Sequence, residues 1–207
     1  MSKHDTKTHY HHGDLRQALL DAAEIYLKDK GLECLSLRET AKIAGVSHNA
    51  PYRHFKDKNA LLAGLAARGF RQLADLLEKC QSKHLNEPSK QLKTGCRVYI
   101  NMAIDNPNML NLMFGRVFEP ENISDELSNE SNRAFQQLVN IVRKGQTENL
   151  FINDNSEEVA LFVWSTIHGF ANLHISEHTQ RFYNNKKQLD QLLIKLEGYL
   201  LNSIKLT

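Results

Sequence analysis

The segment Leu35–Leu62 reads LSLRETAKIAGVSHNAPYRHFKDKNALL, and its pattern predicts two short helices joined by a turn. Ser36, followed three residues later by Glu39, forms a capping box, which predicts a short helix that ends near Ala44. Gly45 opens a Gly-Val-Ser turn and adopts a positive φ at little cost, so the chain changes direction sharply at this point. The stretch therefore begins with a short helix and a tight turn.

A second short helix is predicted over about 48–55. Ser47 can cap its start, and Pro51 falls in its first turn or just beyond, where a missing N–H matters least. Val46 and Phe55 are expected to face a small core. Two short helices joined by a tight turn form a helix-turn-helix arrangement. The second helix of such a motif fits the major groove of DNA, which is roughly 12 Å wide.

The rest of the chain also carries helical signals, with apolar residues at spacings of three and four and little strand alternation. One helix is predicted before the motif, over about 14–30, and a long helix after it, over about 57–80, with a polar break over 81–89. Further helices are predicted over about 89–105, 107–115, 124–148, 156–177 and 186–204. The predicted fold is all-α, with an N-terminal three-helix helix-turn-helix domain joined by a long helix to a larger C-terminal helical bundle.

The composition is that of an ordinary globular protein, with 207 residues, 41% of them hydrophobic and 24% charged. A net charge of +2 does not mark a nucleic-acid binder, although residues 1–70 hold eleven Lys and Arg against eight Asp and Glu. No apolar run approaches the ~20 residues that cross a bilayer, and the polar start Met1–His12 lacks a secretory signal. We therefore expect a cytoplasmic protein with no membrane partner.

Histidines and cysteines raise the question of metal, redox or catalytic sites. A histidine-rich start is compatible with a metal site, but a flexible arm lying against DNA is the better interpretation; its histidines are His4, His9, His11 and His12. The cysteines are odd in number and form no C-x-x-C pair, so we expect neither a disulfide framework nor a structural zinc site; a redox role stays open for Cys34, Cys80 or Cys96. We expect no metal and no cofactor. An enzyme using His168 with Glu157 or Glu158 is an alternative, but no catalytic spacing supports it, and we expect no enzyme.

The stretch Leu35–Leu62 closely resembles the TetR/AcrR-type bacterial transcriptional regulators. The residues that carry the resemblance are the G-V-S turn at Gly45–Ser47, the Y-x-H-F motif at Tyr52–Phe55 and the K-x-K motif at Lys56–Lys58. The resemblance implies a DNA-binding domain over 13–73 and a ligand-binding and dimerisation domain over 74–207. The chain departs from the family at Pro51, where a bulky apolar residue is common, and this weakens the transfer of individual base contacts.

The resemblance also implies which residues meet DNA. Tyr52 and His54 are expected to contact phosphates, as is Lys58, whose place at a helix N-terminus favours an anion. The predicted DNA contacts are Arg38, Ser47, His48, Asn49, Ala50, Tyr52, Arg53, His54 and Lys58. A buried helical hairpin with no role in DNA binding is the alternative.

The two last predicted helices carry broad apolar stripes, which predict a homodimer; filling the core of one monomer is the alternative. Such a dimer presents two recognition helices roughly 34–36 Å apart to a palindromic operator. The Trp164-x-x-x-His168-Gly169 pattern resembles that of one TetR subgroup. A pocket for a small hydrophobic effector is predicted from Met102, Met109, Met113, Phe114, Phe118, Phe135, Trp164 and His168, with ordinary core packing as the alternative.

These features predict a DNA-binding transcriptional regulator that acts on double-stranded DNA, most simply a repressor that an effector releases from its operator. A transcriptional activator with the same fold is an alternative. A helical adaptor that binds another protein is a further alternative, which salt-dependent binding to duplex DNA would distinguish.

Overall fold

A computed structural model describes residues 15–115, 117–118, 123–179, 181–183 and 185–206. The predicted histidine-rich arm lies outside these residues. The described chain forms α1 (Leu15–Lys30), α2 (Leu37–Ile43), a 3₁₀ helix (Pro51–Arg53), α3 (Lys58–Lys83), α4 (Pro88–Asp105), α5 (Pro107–Phe114), α6 (Asp125–Thr147), α7 (Ser156–Ile175) and α8 (Lys186–Ile204). The predicted all-α fold is confirmed, and the only extended pairing within the described ranges is an isolated antiparallel bridge between Phe151 and Lys205.

The first helices begin and end at the signals that the sequence carries. Ser36 has an extended backbone, and its Oγ accepts a hydrogen bond from the backbone N of Glu39 at 3.2 Å. Gly31 follows α1 with a φ of 76°, and Gly45 follows α2 with a φ of 67°. Glycine adopts this left-handed conformation without a Cβ clash, so these two residues end the helices and turn the chain.

Residues 47–55, which we call the 47–55 segment, do not contain the α-helix that was predicted over 48–55. The only helical element in the segment is the short 3₁₀ helix that begins at Pro51. The backbone N of His54 donates to the Pro51 carbonyl, three residues earlier, at 2.9 Å. An α-helix through this region needs a backbone N–H at residue 51, which proline lacks. The segment is therefore a turn followed by one turn of 3₁₀ helix.

The other helices start and stop within two or three residues of their predicted bounds. The largest difference is at the end of α3, which continues to Lys83, so that the predicted polar break over 81–89 is reduced to a turn at 84–87. Pro88 then occupies the first position of α4, where its fixed φ suits a helix start. α3 runs without interruption across residues 73 and 74, the predicted domain boundary.

α3 is the central element of the packing. It lies along α6 and also contacts α1, α4 and α5, while α7 packs on α4 and α6, and α8 packs on α4 and α7. Buried apolar side chains from these helices form one continuous cluster, which extends from Leu19 in α1 to Ile204 in α8. The helix-turn-helix part and the bundle therefore share a core, and α3 is one continuous helix that contributes to both. None of the described helices is long and apolar enough to span a membrane.

Candidate functional site

The 47–55 segment and the start of α2 form one exposed polar surface. Of the predicted DNA contacts, Ala50 and Lys58 are half-buried, and the others are exposed: Arg38, Ser47, His48, Asn49, Tyr52, Arg53 and His54. Tyr52 keeps 55% of its surface exposed, which is a large fraction for an aromatic side chain. The surface therefore presents guanidinium, imidazole, amide and phenol groups that suit hydrogen bonding to phosphates and base edges.

Buried residues hold this surface in place. Phe55 is only 2% exposed and Pro51 is buried, while Val46 is half-buried against the core, as predicted for Val46 and Phe55. The exposed side chains between these anchors, among them Tyr52 and Arg53, are attached to a backbone that the core fixes. The polar groups are thus pre-organised on a rigid support.

A shallow crevice of about 400 Å³ lies between α2 and the 47–55 segment. It is bordered by Arg38, Lys42 and His48, with Ala41 and Val46 beneath. Lys42 is a candidate DNA contact that the sequence analysis missed. It follows Arg38 by four residues, so both cations lie on one face of α2, and that spacing is the signal that could have identified it.

Lys58 lies at the start of α3, as predicted, but its ammonium group contacts the chain itself. Its Nζ donates to the carbonyl oxygen of Glu33 at 3.1 Å and lies 3.5 Å from that of Leu32. Asp57 caps the same helix end and accepts a hydrogen bond from the backbone N of Ala60 at 2.8 Å. In this structure Lys58 therefore ties α3 to the loop between α1 and α2, and its contact with phosphate stays a prediction.

A cavity of about 600 Å³ lies in the bundle between α3, α4, α6 and α7. Its apolar wall consists mainly of aromatic and leucine side chains: Phe70, Leu73, Leu77, Tyr99, Phe114, Phe135, Leu138, Leu161, Trp164 and Ile167. Its polar groups are Ser131, Asn132, Asn155, Glu157 and Glu158. Small-molecule sites are typically apolar clefts of about 300–1,000 Å³ with a few polar groups, and this cavity has both properties.

Three of the predicted pocket residues line the cavity, namely Phe114, Phe135 and Trp164. The methionines Met109 and Met113 pack against α3 at Gly69 instead, where an added Cβ would lie 3.0 and 2.7 Å from their sulfur atoms. Methionine thus fills the space that a glycine leaves between two helices, which is a packing role.

The remaining predicted pocket residues lie outside the cavity lining. Met102 and Phe118 are half-buried against the core, and His168 lies behind the wall residue Tyr99. The walls contributed by α3 and α4 were missed, because their apolar residues have ordinary core spacing. Only the packing of the helices determines which of those residues border empty space.

Tyr99 connects the cavity wall to His168. Its Oη lies 2.6 Å from His168 Nδ1 and forms a hydrogen bond with it. Burial raises the pKa of Tyr99 to about 12 and lowers the pKa of His168, because a charge is poorly solvated here. The pair is therefore neutral at pH 7 and contributes polar groups without a charge behind the aromatic wall.

The cysteines are all free, with Cys34 exposed and Cys80 and Cys96 buried. Cys96 lines the cavity, and burial raises its pKa to about 12, which keeps it a neutral thiol. No group of three or more histidine, cysteine or acidic side chains in the described part of the chain is arranged to hold a metal ion.

Comparison with known proteins shows which family this architecture is similar to. A family model for "Bacterial regulatory proteins, tetR family" matches residues 19–65, and one for "Tetracyclin repressor-like, C-terminal domain" matches residues 92–196, half of the chain. The solved structure of a protein of unknown function from Rhodococcus sp. RHA1 has a TM-score of 0.82 at 28% identity, and the match covers 96% of this chain and 99% of that one. A TetR family transcription regulator from Marinobacter aquaeolei VT8 has the same fold, with a TM-score of 0.70 at 17% identity over 93% and 96% of the two chains.

The HTH-type transcriptional regulator AcrR of Shigella flexneri is 33% identical over 87 residues, which are 42% of this chain and 40% of that protein. TetR-type regulators are DNA-binding transcription factors, so the enzymatic alternative is set aside. The two family matches, the all-α architecture and the helix-turn-helix part lead to one conclusion: the chain belongs to the TetR family of bacterial transcriptional regulators.

Proposed function

We propose that this regulator is a homodimeric repressor that binds a palindromic operator and leaves it when a small hydrophobic effector fills the cavity. The observation that carries the proposal is the cavity of about 600 Å³, because α3 forms part of its wall. The N-terminal end of the same helix adjoins the 47–55 segment. An effector acts by favouring the arrangement of the dimer that it binds more tightly.

DNA recognition uses the exposed polar surface of each protomer. The 47–55 segment enters the major groove, where His48, Asn49 and Ala50 face base edges. Tyr52 and His54 contact phosphates, and Lys58 exchanges its backbone carbonyl partners for a phosphate. Arg38, Lys42 and Arg53 add positive charge along the groove; these groups are arrayed on one surface and supported by a buried core.

The homodimer forms through α7 and α8. These helices expose a series of large apolar side chains: Phe162, Leu173, Ile194 and Tyr199, which are between 48% and 69% exposed. Gly169 in α7 and Gly198 in α8 have nothing within 4 Å of the place where a Cβ would lie, so a second helix can approach closely there. A set of exposed apolar side chains on neighbouring helices is typical of a surface that another chain covers.

The effector is hydrophobic and carries no negative charge. The charged side chains on the described lining of the cavity are the carboxylates of Glu157 and Glu158, and no lysine or arginine is among them. An anionic ligand would enter past two like charges without a cation to pair with, whereas a neutral or cationic ligand meets no such repulsion.

The proposed function is tested by selecting duplexes from a random pool with the full-length protein. We expect a palindromic site, because a two-fold symmetric dimer reads two equivalent half-sites. Transcription in vitro from a promoter that carries the site should fall when the protein is added. A site without two-fold symmetry would contradict the dimeric mode of binding, and a rise in transcription would identify an activator.

Removing one cation from the polar surface should weaken DNA binding. We expect Arg53→Ala to cost about 1–2 kcal/mol, roughly five- to thirtyfold in affinity for the selected duplex, and Lys42→Ala to flatten the dependence of affinity on salt. Fluorescence anisotropy over a series of salt concentrations measures both. The control is Lys93→Ala, which removes an exposed cation from α4 and should leave affinity and salt dependence unchanged. Equal effects of all three substitutions would contradict the assigned surface.

Placing charges on the exposed apolar face should separate the protomers. We expect the double variant Phe162→Glu/Ile194→Glu to sediment as a monomer, because burying two carboxylates in the interface is unfavourable. Leu85→Glu is the matched control, since Leu85 is 70% exposed but lies in the turn between α3 and α4. A dimer that persists in the double variant would show that another surface joins the protomers.

Two probe ions of equal shape and opposite charge test the effector site. We expect tetraphenylphosphonium to bind about three- to tenfold more tightly than tetraphenylborate, because the two carboxylates are exposed to solvent and each contributes modestly. Quenching of Trp164, the single tryptophan of the chain, reports binding at the cavity wall. Glu157→Gln/Glu158→Gln should remove the preference, and Glu148→Gln, on the exposed end of α6, should keep it. Tighter binding of tetraphenylborate would contradict the assigned charge, and absence of quenching by either ion would contradict the site.

A further inference from the structure

We propose that Arg16 is the positioning residue through which α6, a wall of the cavity, sets the orientation of the 47–55 segment. The proposal rests on the proposed function, because it concerns how an occupied cavity alters DNA binding. It assigns the coupling to one side chain at the junction of the two parts of the molecule.

Arg16 lies in the first turn of α1 and contacts the last residue of the 47–55 segment. Its guanidinium carbon lies 5.5 Å from the centroid of the Phe55 ring, a distance at which a cation is attracted to an aromatic face. Both groups meet α3 at Gly64, where an added Cβ would lie 3.2 Å from the Phe55 ring and 3.3 Å from Arg16 Nη2. The absence of a side chain at Gly64 lets the guanidinium and the ring lie against α3.

The same guanidinium is hydrogen-bonded to α6. Arg16 Nη2 donates to Glu126 Oε2 at 2.5 Å, and the two side chains are about one-third exposed, at 31% and 33%. The second oxygen of Glu126 accepts from Arg71 of α3 at 3.2 Å, and Arg71 also donates to Glu130 at 2.8 Å. One carboxylate at the start of α6 is thus shared between an arginine of α1 and an arginine of α3.

The helix that carries Glu126 also forms a wall of the cavity. Ser131, Ala134, Phe135 and Leu138 of α6 line it, and α6 is continuous from Asp125 to Thr147. Glu126 lies about 12 Å along the helix axis from Ala134, at 1.5 Å per residue. A ligand that displaces the cavity wall therefore displaces Glu126, and Arg16 must either follow Glu126 or release it. In both cases the support beneath Phe55 changes.

An ion pair that only stabilised the fold would not transmit a displacement of α6 to the 47–55 segment. Arg133 provides the comparison, because it joins α6 to Asp75 and Glu78 of α3 with the same chemistry, at 2.5 and 3.1 Å. None of the described contacts of Arg133 involves the 47–55 segment. A general loss of stability on removing an arginine should be seen at either position, whereas a loss of coupling should be seen only at Arg16.

A cycle of substitutions tests the proposal without an identified effector. Ala134→Leu fills part of the cavity from α6, and affinity for the selected duplex is measured by anisotropy. We expect Ala134→Leu to weaken binding about tenfold with Arg16 present and less than about twofold in an Arg16→Gln background. The tenfold effect should remain in an Arg133→Gln background and should return in part when Arg16 is replaced by Lys.

Two further variants separate a loss of coupling from a loss of folding. Glu126→Ala removes the link to α6 but leaves the contact with Phe55, so it should also abolish the effect of Ala134→Leu even if Arg16→Gln disturbs folding. Ser131→Leu fills the cavity from a second position, and thermal unfolding confirms that each variant is folded. An equal loss of affinity in all backgrounds would overturn the role of Arg16 while leaving control by the cavity intact. No loss from either cavity-filling substitution would overturn the proposed function as well.

Discussion

The packing of α3 along α6 joins the helix-turn-helix motif to the bundle. The N-terminal half of α3 buries Leu61 and Leu65 under the helix-turn-helix motif, and Phe70, Leu73 and Leu77 are buried in the bundle. Because one continuous helix contributes to the shared core in both parts, a tilt of one part changes the packing of the other. The apolar contact itself is non-directional, so it holds the two parts together without fixing their relative angle closely.

Directional contacts between charged side chains restrict the relative angle of the two parts, which apolar packing does not fix closely. Ion pairs between partly exposed side chains contribute little to the free energy of folding, because water competes for both partners. Arginine nevertheless donates in a fixed planar geometry, and several arginines bridge α3 and α6 or α1 and α6. Their effect is on orientation more than on stability; Arg16 and Arg71 act where the two parts of the molecule meet, and Arg133 acts within the bundle.

The fold was predictable from the sequence because its signals are local. The serine cap at Ser36 and the glycines at Gly31 and Gly45 act on the backbone within a few residues, and the structure has the Ser36 cap and the two left-handed glycines. Pro51 is compatible with the first turn of a helix, but it cannot donate the backbone N–H that an α-helix over 48–55 needs at residue 51, and that missing hydrogen bond is a local signal for the shorter 3₁₀ helix. The candidate site was less predictable where it depends on long-range packing. The carbonyl oxygens that accept hydrogen bonds from Lys58 are 25 and 26 residues away along the chain. The cavity is an unfilled space between several helices, so its position depends on how those helices pack.

The shortness of the 3₁₀ helix at Pro51 bears on how an operator is distinguished from other DNA. A full recognition helix offers side chains from two or three successive turns, whereas this element is three residues long and completes a single turn. Few base edges per half-site are then within direct reach. If the 47–55 segment reads the major groove as proposed, we expect more of the discrimination to come from the bending and groove width of the duplex at positions that the protein does not touch, so that preferred sites resemble each other in deformability as much as in base sequence.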